Sequence, residues 1–162
     1  MLQTQKKLKK YMIWFSFLLL LISIFSLRVL AQDKTLFKKR VFVSKNGDTL
    51  NYRILFPENY DAKKEYPLVL FLHGSGERGN DNEKQLTHGA NMFLNSVNRK
   101  NFPAVVVFPQ CPQDKYWIDI SIHSKLRGKG NPDFEESIKS PSEELAVVNE
   151  LVEQTIRDES IN

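Results

Sequence analysis

The 162-residue chain has one cysteine, Cys111, so no disulfide can form within it. It has no internal repeat and no low-complexity tract, and its length suits one domain. Its three histidines, His73, His88 and His123, are too scattered to suggest a zinc site. No Gly-Lys-Ser/Thr follows its glycine-rich stretch at the required spacing, which argues against a P-loop. Gly74, Gly76 and Gly79 do form G-x-G-x-x-G, but the next apolar run, "AVVVFPQC", ends without the acidic residue that usually accompanies a dinucleotide site.

Acidic residues are missing altogether before Asp33. That gap frames a basic segment (Lys6, Lys7, Lys9, Lys10), a charge-free apolar stretch from Tyr11 to Leu27, and Val29-Leu30-Ala31 before Gln32. The order reads as a signal peptide over residues 1–31, cleaved after Ala31, leaving 32–162 as the mature part. A retained anchor is the alternative, since an apolar run of about 17 residues is at the lower limit for a membrane span. No cysteine near the junction supports a lipid anchor. Without the signal the chain carries 18 basic against 19 acidic residues. The apparent basicity belongs to the export segment, and nothing points to a nucleic-acid partner. An exported chain without disulfides fits a bacterial periplasm or exterior, with no stable membrane span after cleavage.

The pattern of apolar residues predicts the elements. "KRVFVS", Lys39–Ser44, and "LNYRILF", Leu50–Phe56, flank Asn46-Gly47-Asp48 and read as an antiparallel hairpin, with Leu50, Tyr52, Ile54 and Phe56 on one face. "LVLFL", Leu68–Leu72, and "AVVVF", Ala104–Phe108, are continuously apolar, as strands buried on both faces of a sheet are. Between them a helix is predicted from about Asn82 to Ser96, with Leu86, Ala90, Phe93 and Leu94 able to share a face and Gly89 as its weak point. Cys111–Lys139 is a long, polar loop of the kind that forms lids or insertions. Ser140, Pro141 and Glu143 then read as a helix start, with Leu145, Val148, Val152 and Ile156 as the apolar stripe to about Asp158. The sum is an α/β fold: a hairpin, then parallel strands with flanking helices, in a sheet that looks incomplete.

The loop after the first buried run, His73-Gly74-Ser75-Gly76, is where an open α/β sheet binds ligands. Small residues let a ligand approach the backbone, and free N–H groups there can hold an anion or a developing oxyanion. A tight turn is the alternative use of the same glycines. Cys111, after an apolar strand and before Pro112, reads as a small, partly buried residue rather than a nucleophile.

"YPLVLFLHGSGERGNDNEKQLTHGA" followed by "FPAVVVFPQCPQDKYW" resembles the α/β-hydrolase superfamily. The likeness is to its exported bacterial esterases, grouped with dienelactone-hydrolase-like, phospholipase/carboxylesterase and prolyl-oligopeptidase-type hydrolases, and it covers about Lys39 to Asp158. It implies a serine nucleophile, a histidine base and an orienting acid, acting on a small-molecule ester through an acyl-enzyme without a cofactor or metal. Ser75 and Gly76 would then supply oxyanion N–H groups. His73 and Gly74 would support that loop, with Glu77 and Arg78 pinning it by ion pairing. Tyr116 and Trp117 line a substrate pocket or simply pack. The resemblance is to an N-terminal portion. No Gly-x-Ser-x-Gly occurs in the 162 residues, so nucleophile, acid and base are expected beyond Asn162 and the chain alone is expected to be inactive. A non-catalytic exported binding module, using the Cys111–Lys139 loop, is the alternative.

Overall fold

The computed structural model describes Met12, residues 14–17, 33–118 and 141–159, and Ile161. The chain divides into two units, Met1–Asp33 and Lys34–Asn162. In the first, Met12 and residues 14–17 are helical, while the cleavage junction and the rest of the expected signal peptide lie outside the described residues. Among the described residues no helix is long and apolar enough to cross a membrane.

In the second unit the hairpin forms as its turn dictates. Strands β1 (Lys38–Val43) and β2 (Thr49–Leu55) pair antiparallel, with Phe42 opposite Leu50. Gly47 takes φ 90°, a left-handed conformation that glycine adopts without a side-chain clash. Ser44 closes the turn, its N–H bonding Asp48 O at 2.8 Å and its hydroxyl accepting the Asp48 N–H at 3.0 Å. Leu50, Tyr52 and Ile54 are buried as the alternation predicts, and Phe56 packs partly against them. Arg53 and Leu55 are buried as well, because β2 is covered on both faces.

Strands β3 (Leu68–Leu70) and β4 (Val105–Pro109) complete a four-stranded mixed sheet of order β1-β2-β4-β3. β4 runs antiparallel to β2 and parallel to β3. Every residue of β4 is buried, as its apolar run predicts. The similar run in β3 departs from expectation. It has one partner among the described strands, and Leu70 and Leu72 remain 37% and 38% exposed. An apolar strand at the rim of a sheet stays half covered whatever its composition.

The predicted helix from Asn82 to Ser96 is replaced by a 3-10 turn (Lys84–Leu86) and two short helices, α1 (Ala90–Leu94) and α2 (Ser96–Asn101). Gly89 breaks it: φ is 80°, and a Cβ there would lie 2.5 Å from the Phe71 ring. Asn95 caps α2 by accepting the Val97 and Asn98 N–H groups. Leu86, Ala90 and Leu94 still share the predicted face, over Leu55, Val106 and Phe108.

On the other face of the sheet lies α3 (Glu143–Asp158). Its cap is Ser142, whose hydroxyl accepts the Leu145 N–H at 3.2 Å, and not Ser140, which lies outside the described residues. The buried stripe is Val148, Leu151 and Thr155, rotated from the predicted one, and Ile156 is 48% exposed. Thr155 is tolerated inside because its hydroxyl donates to Leu151 O at 2.8 Å.

Candidate active site

Because β3 and β4 are parallel, the segments after them emerge at the same end of the sheet. The first holds the glycine loop and the second runs from Gln110 to Ile118. Open α/β sheets bind ligands outside such carboxyl ends.

Ser75–Glu77 forms a single 3-10 turn, in which the Glu77 N–H donates to Gly74 O at 3.3 Å. The N–H groups of Ser75 and Gly76 precede that bond, and they are the ones such a turn leaves without an internal acceptor. Both residues are exposed. The turn thus leaves the Ser75 and Gly76 N–H groups without an acceptor inside it.

His73 holds this loop from beneath. It is buried, its Nδ1 lies 2.6 Å from Gly74 O, and its Nε2 accepts the Cys111 N–H at 3.0 Å. A neutral ring protonated at Nδ1 satisfies both contacts. Burial pushes its pKa below the ordinary histidine value, which fits that neutral form. Its carbonyl accepts the Trp117 indole N–H at 3.1 Å, so one residue ties together the loop, the end of β4 and the pocket wall. With both nitrogens engaged, His73 has no free site for a substrate proton. His88 is largely exposed and sits 3.4 Å from Glu77 Oε1, while His123 lies outside the described residues.

The expectation for Arg78 needs correction. Glu77 faces His88, but Arg78 has no carboxylate partner among the described residues. It pins the loop through carbonyls instead: Nε donates to Ser75 O at 2.9 Å and Nη1 to Lys115 O at 3.1 Å. Its guanidinium lies 3.8 Å from the Tyr116 ring centroid, a cation–π contact. A Cβ at Gly74 would come 3.1 Å from Glu77 Oε2, a contact that the Glu77 carboxylate could relieve by a small shift.

A second support was not predicted. Gln110 is fully buried after β4; its Oε1 accepts the Asn82 N–H at 2.7 Å, and its Nε2 donates to Asp81 Oδ1 at 2.8 Å and Glu77 O at 3.3 Å. Asn82, at φ 54°, offers its carbonyl to the buried Arg53 at 2.6 Å. Asp81 Oδ1 also accepts the Glu83 and Lys84 N–H groups at 2.8 and 3.0 Å. Slight burial pushes the Asp81 carboxyl up, but those bonds and the Lys84 charge outweigh it and bring it to about 2. The one sequence signal was Asp81 itself, a residue type that bonds the backbone two residues on, here at Glu83, in an Asx-turn.

Cys111 is buried, and its thiol is pushed up to about 12, chiefly by burial, with Glu144 adding to the shift. It is a packing residue, not a thiolate nucleophile. Among the described residues no cluster of His, Cys, Asp or Glu could hold a metal ion.

Gly74, Ser75, Arg78, Cys111, Tyr116, Trp117 and Ile118 enclose a cavity of about 430 Å³. The donor loop and the two aromatic residues thus share one pocket. A larger apolar cavity of about 580 Å³, lined by residues such as Phe56, Pro67, Met92 and Phe102, opens at the amino ends of β3 and β4. It lies away from the donor loop, and the chemistry favours the smaller one.

No protein-family model matches the chain, and no curated protein matches it. Among solved structures it is similar to a thermostable esterase, with 27% identity and a TM-score of 0.63, over 79% of this chain and 32% of that one. It is also similar to a CE1 ferulic acid esterase from the anaerobic fungus Anaeromyces mucronatus, without substrate and in complex with ferulic acid. Those two give 20% identity and TM-scores of 0.46 and 0.45, over 78% of this chain and 44% of theirs. The chain therefore spans about a third of the length of the thermostable esterase. That likeness agrees with the resemblance carried by the HG-x-G and PQCP segments. The four-stranded mixed sheet with flanking helices is an α/β arrangement similar to part of the thermostable esterase.

Proposed function

We propose that these residues form the oxyanion side of a carboxylic-ester hydrolase that works through a serine acyl-enzyme. The observation that carries the proposal is a 3-10 turn at Ser75–Glu77, whose first N–H groups have no acceptor within the turn, beside a pocket that Gly74 and Ser75 help to line. An ester carbonyl seated there would place its oxygen toward the donors, and the tetrahedral intermediate would gain from them as charge develops. His73 keeps the loop in place and takes no part in proton transfer.

The 162 residues contain no Gly-x-Ser-x-Gly, so in this reading the nucleophile, acid and base are supplied by polypeptide beyond them. A strand bearing the nucleophile would pair with the edge of β3 away from β4, next to the donor loop.

The test has two arms. The 162-residue chain should not hydrolyse p-nitrophenyl acetate above a buffer control. A polypeptide that joins these residues to a strand carrying Gly-x-Ser-x-Gly should hydrolyse it, and Gly76→Pro, which deletes one donor, should lower kcat by about 10²–10³-fold. Turnover by the 162 residues that survives repurification would overturn the reading, as would an unimpaired Gly76→Pro enzyme.

A further inference from the structure

The odd residue in the pocket is Arg78. Five arginines lie among the described residues, and four of them pair with a carboxylate: Arg40 with Glu159, Arg53 with Glu83, Arg99 with Glu58 and Arg157 with Glu153. Arg78 pairs with none of the described carboxylates. Glu77 is turned to His88, and Glu143 and Glu144 are taken by Lys115. Arg78 is the one charged side chain among the described residues lining the pocket, beside Tyr116, Trp117, Cys111 and Ile118.

Holding two carbonyls needs donors but no net charge. The guanidinium is only partly buried beside these walls and has no counter-ion among the described residues, so an anion entering the pocket would meet a charge that they do not neutralise. The same setting makes it a strong partner for an anion. Its orientation is fixed in advance by the Ser75 and Lys115 carbonyls and by the Tyr116 ring, and its Nη2 has no hydrogen-bond partner among the described residues. A guanidinium held this way loses little freedom on binding a carboxylate.

We propose that this pocket recognises a carboxylate carried on an apolar or aromatic body, with Arg78 as the charge partner and Tyr116 and Trp117 as the walls. The inference rests on the ester-hydrolase reading for its substrate class: esters whose acyl or alkoxy part carries a second, anionic group. Arg78 is a specificity residue in this scheme.

The test titrates the full 162-residue chain, ¹⁵N-labelled, with 3-phenylpropanoate and with its neutral counterpart 3-phenylpropanamide, following the Trp117 indole and the Ser75 and Gly76 amides by NMR. The acid should bind at least about tenfold tighter than the amide, as expected for a charge-assisted bond. Arg78→Gln should bring that ratio to about one while leaving amide binding in place. If Arg78→Gln loses both ligands through loop disorder, Arg78→Lys decides: a ratio above one supports the proposal and a ratio of one overturns it. Equal affinity for acid and amide in the unaltered chain, an unchanged ratio in Arg78→Gln, or no binding of either ligand would each overturn it. Failure of the ester-hydrolase reading looks different. Ser75 and Gly76 amides that stay unmoved by either ligand, with the Arg78-dependent ratio intact, would sink that reading and spare this one.

Discussion

At the residue scale, Asp81 shows how a small side chain fixes the active-site loop. Its carboxylate accepts from Glu83, Lys84 and Gln110, and its pKa falls from the ordinary 3.8 to about 2. A carboxyl whose folded pKa is depressed contributes stability above its unfolded pKa, and that contribution is lost as pH falls through the folded value. The chain should therefore lose stability between about pH 4 and pH 2, and Asp81→Asn should flatten that part of the profile. Melting temperature measured across the range checks it; equal slopes in the two proteins would contradict it. The side chain is mostly exposed, so the effect is one of slope and not a large loss at neutral pH. Much of this scale was legible in advance. The HG-x-G loop follows β3 as its apolar run implied, with His73 buried and Tyr116 and Trp117 lining the adjoining cavity. Gln110 was not legible, because a buried amide that bonds loop backbone follows no period and resembles any surface glutamine in the sequence. The lack of an acid for Arg78 among the described residues was equally hidden, since Glu77 is its neighbour in the chain but turns to His88.

At the element scale, the broken helix after the glycine loop is the most informative departure. Gly89 sits at φ 80° under the Phe71 ring, and Phe71 stacks on Phe108 with ring centroids 4.5 Å apart. Gly89→Ala meets both a strained backbone and a rigid ring, so it should destabilise the fold by about 2–3 kcal/mol. Urea unfolding measures this, and a loss below about 0.5 kcal/mol would show that α1 can reorient around the new methyl group. Glycine's low helix propensity marked the weak point, but nothing in the pattern of residues could show that an aromatic ring occupies the missing side chain's place. The two apolar runs make the same point. "LVLFL" and "AVVVF" read alike, yet β4 has a strand on each side and β3 has one. Burial of a strand is conferred by its neighbours, and those lie elsewhere in the chain. The rotated stripe of α3 has a similar cause, for Thr155 satisfies its own hydroxyl within the helix and so passes for an apolar residue.

At the scale of the whole molecule, the acid-free N-terminal segment and the folded unit carry separate instructions. The folded unit begins at Lys34, close to the cleavage point proposed after Ala31. If residues 1–31 act as the proposed signal, the exported protein should begin at Gln32, and intact-mass measurement on the secreted or periplasmic fraction checks this. A species retaining residues 1–31 would argue for an anchor instead. Sheet order gives a further consequence, which concerns the time course of folding. β2 is held between β1 and β4, and its partner residues in β4 lie roughly fifty positions later, Leu55 opposite Val106 and Tyr52 opposite Pro109. The β1–β2 hairpin can close early through its own turn, but a two-stranded hairpin is marginal in water by itself. Its inner face must wait for Val105–Pro109 to emerge before the centre of the sheet can form. The centre of the sheet thereby stays open at least until Pro109 has been made, and an unfolded chain is the form that the export proposed above would require.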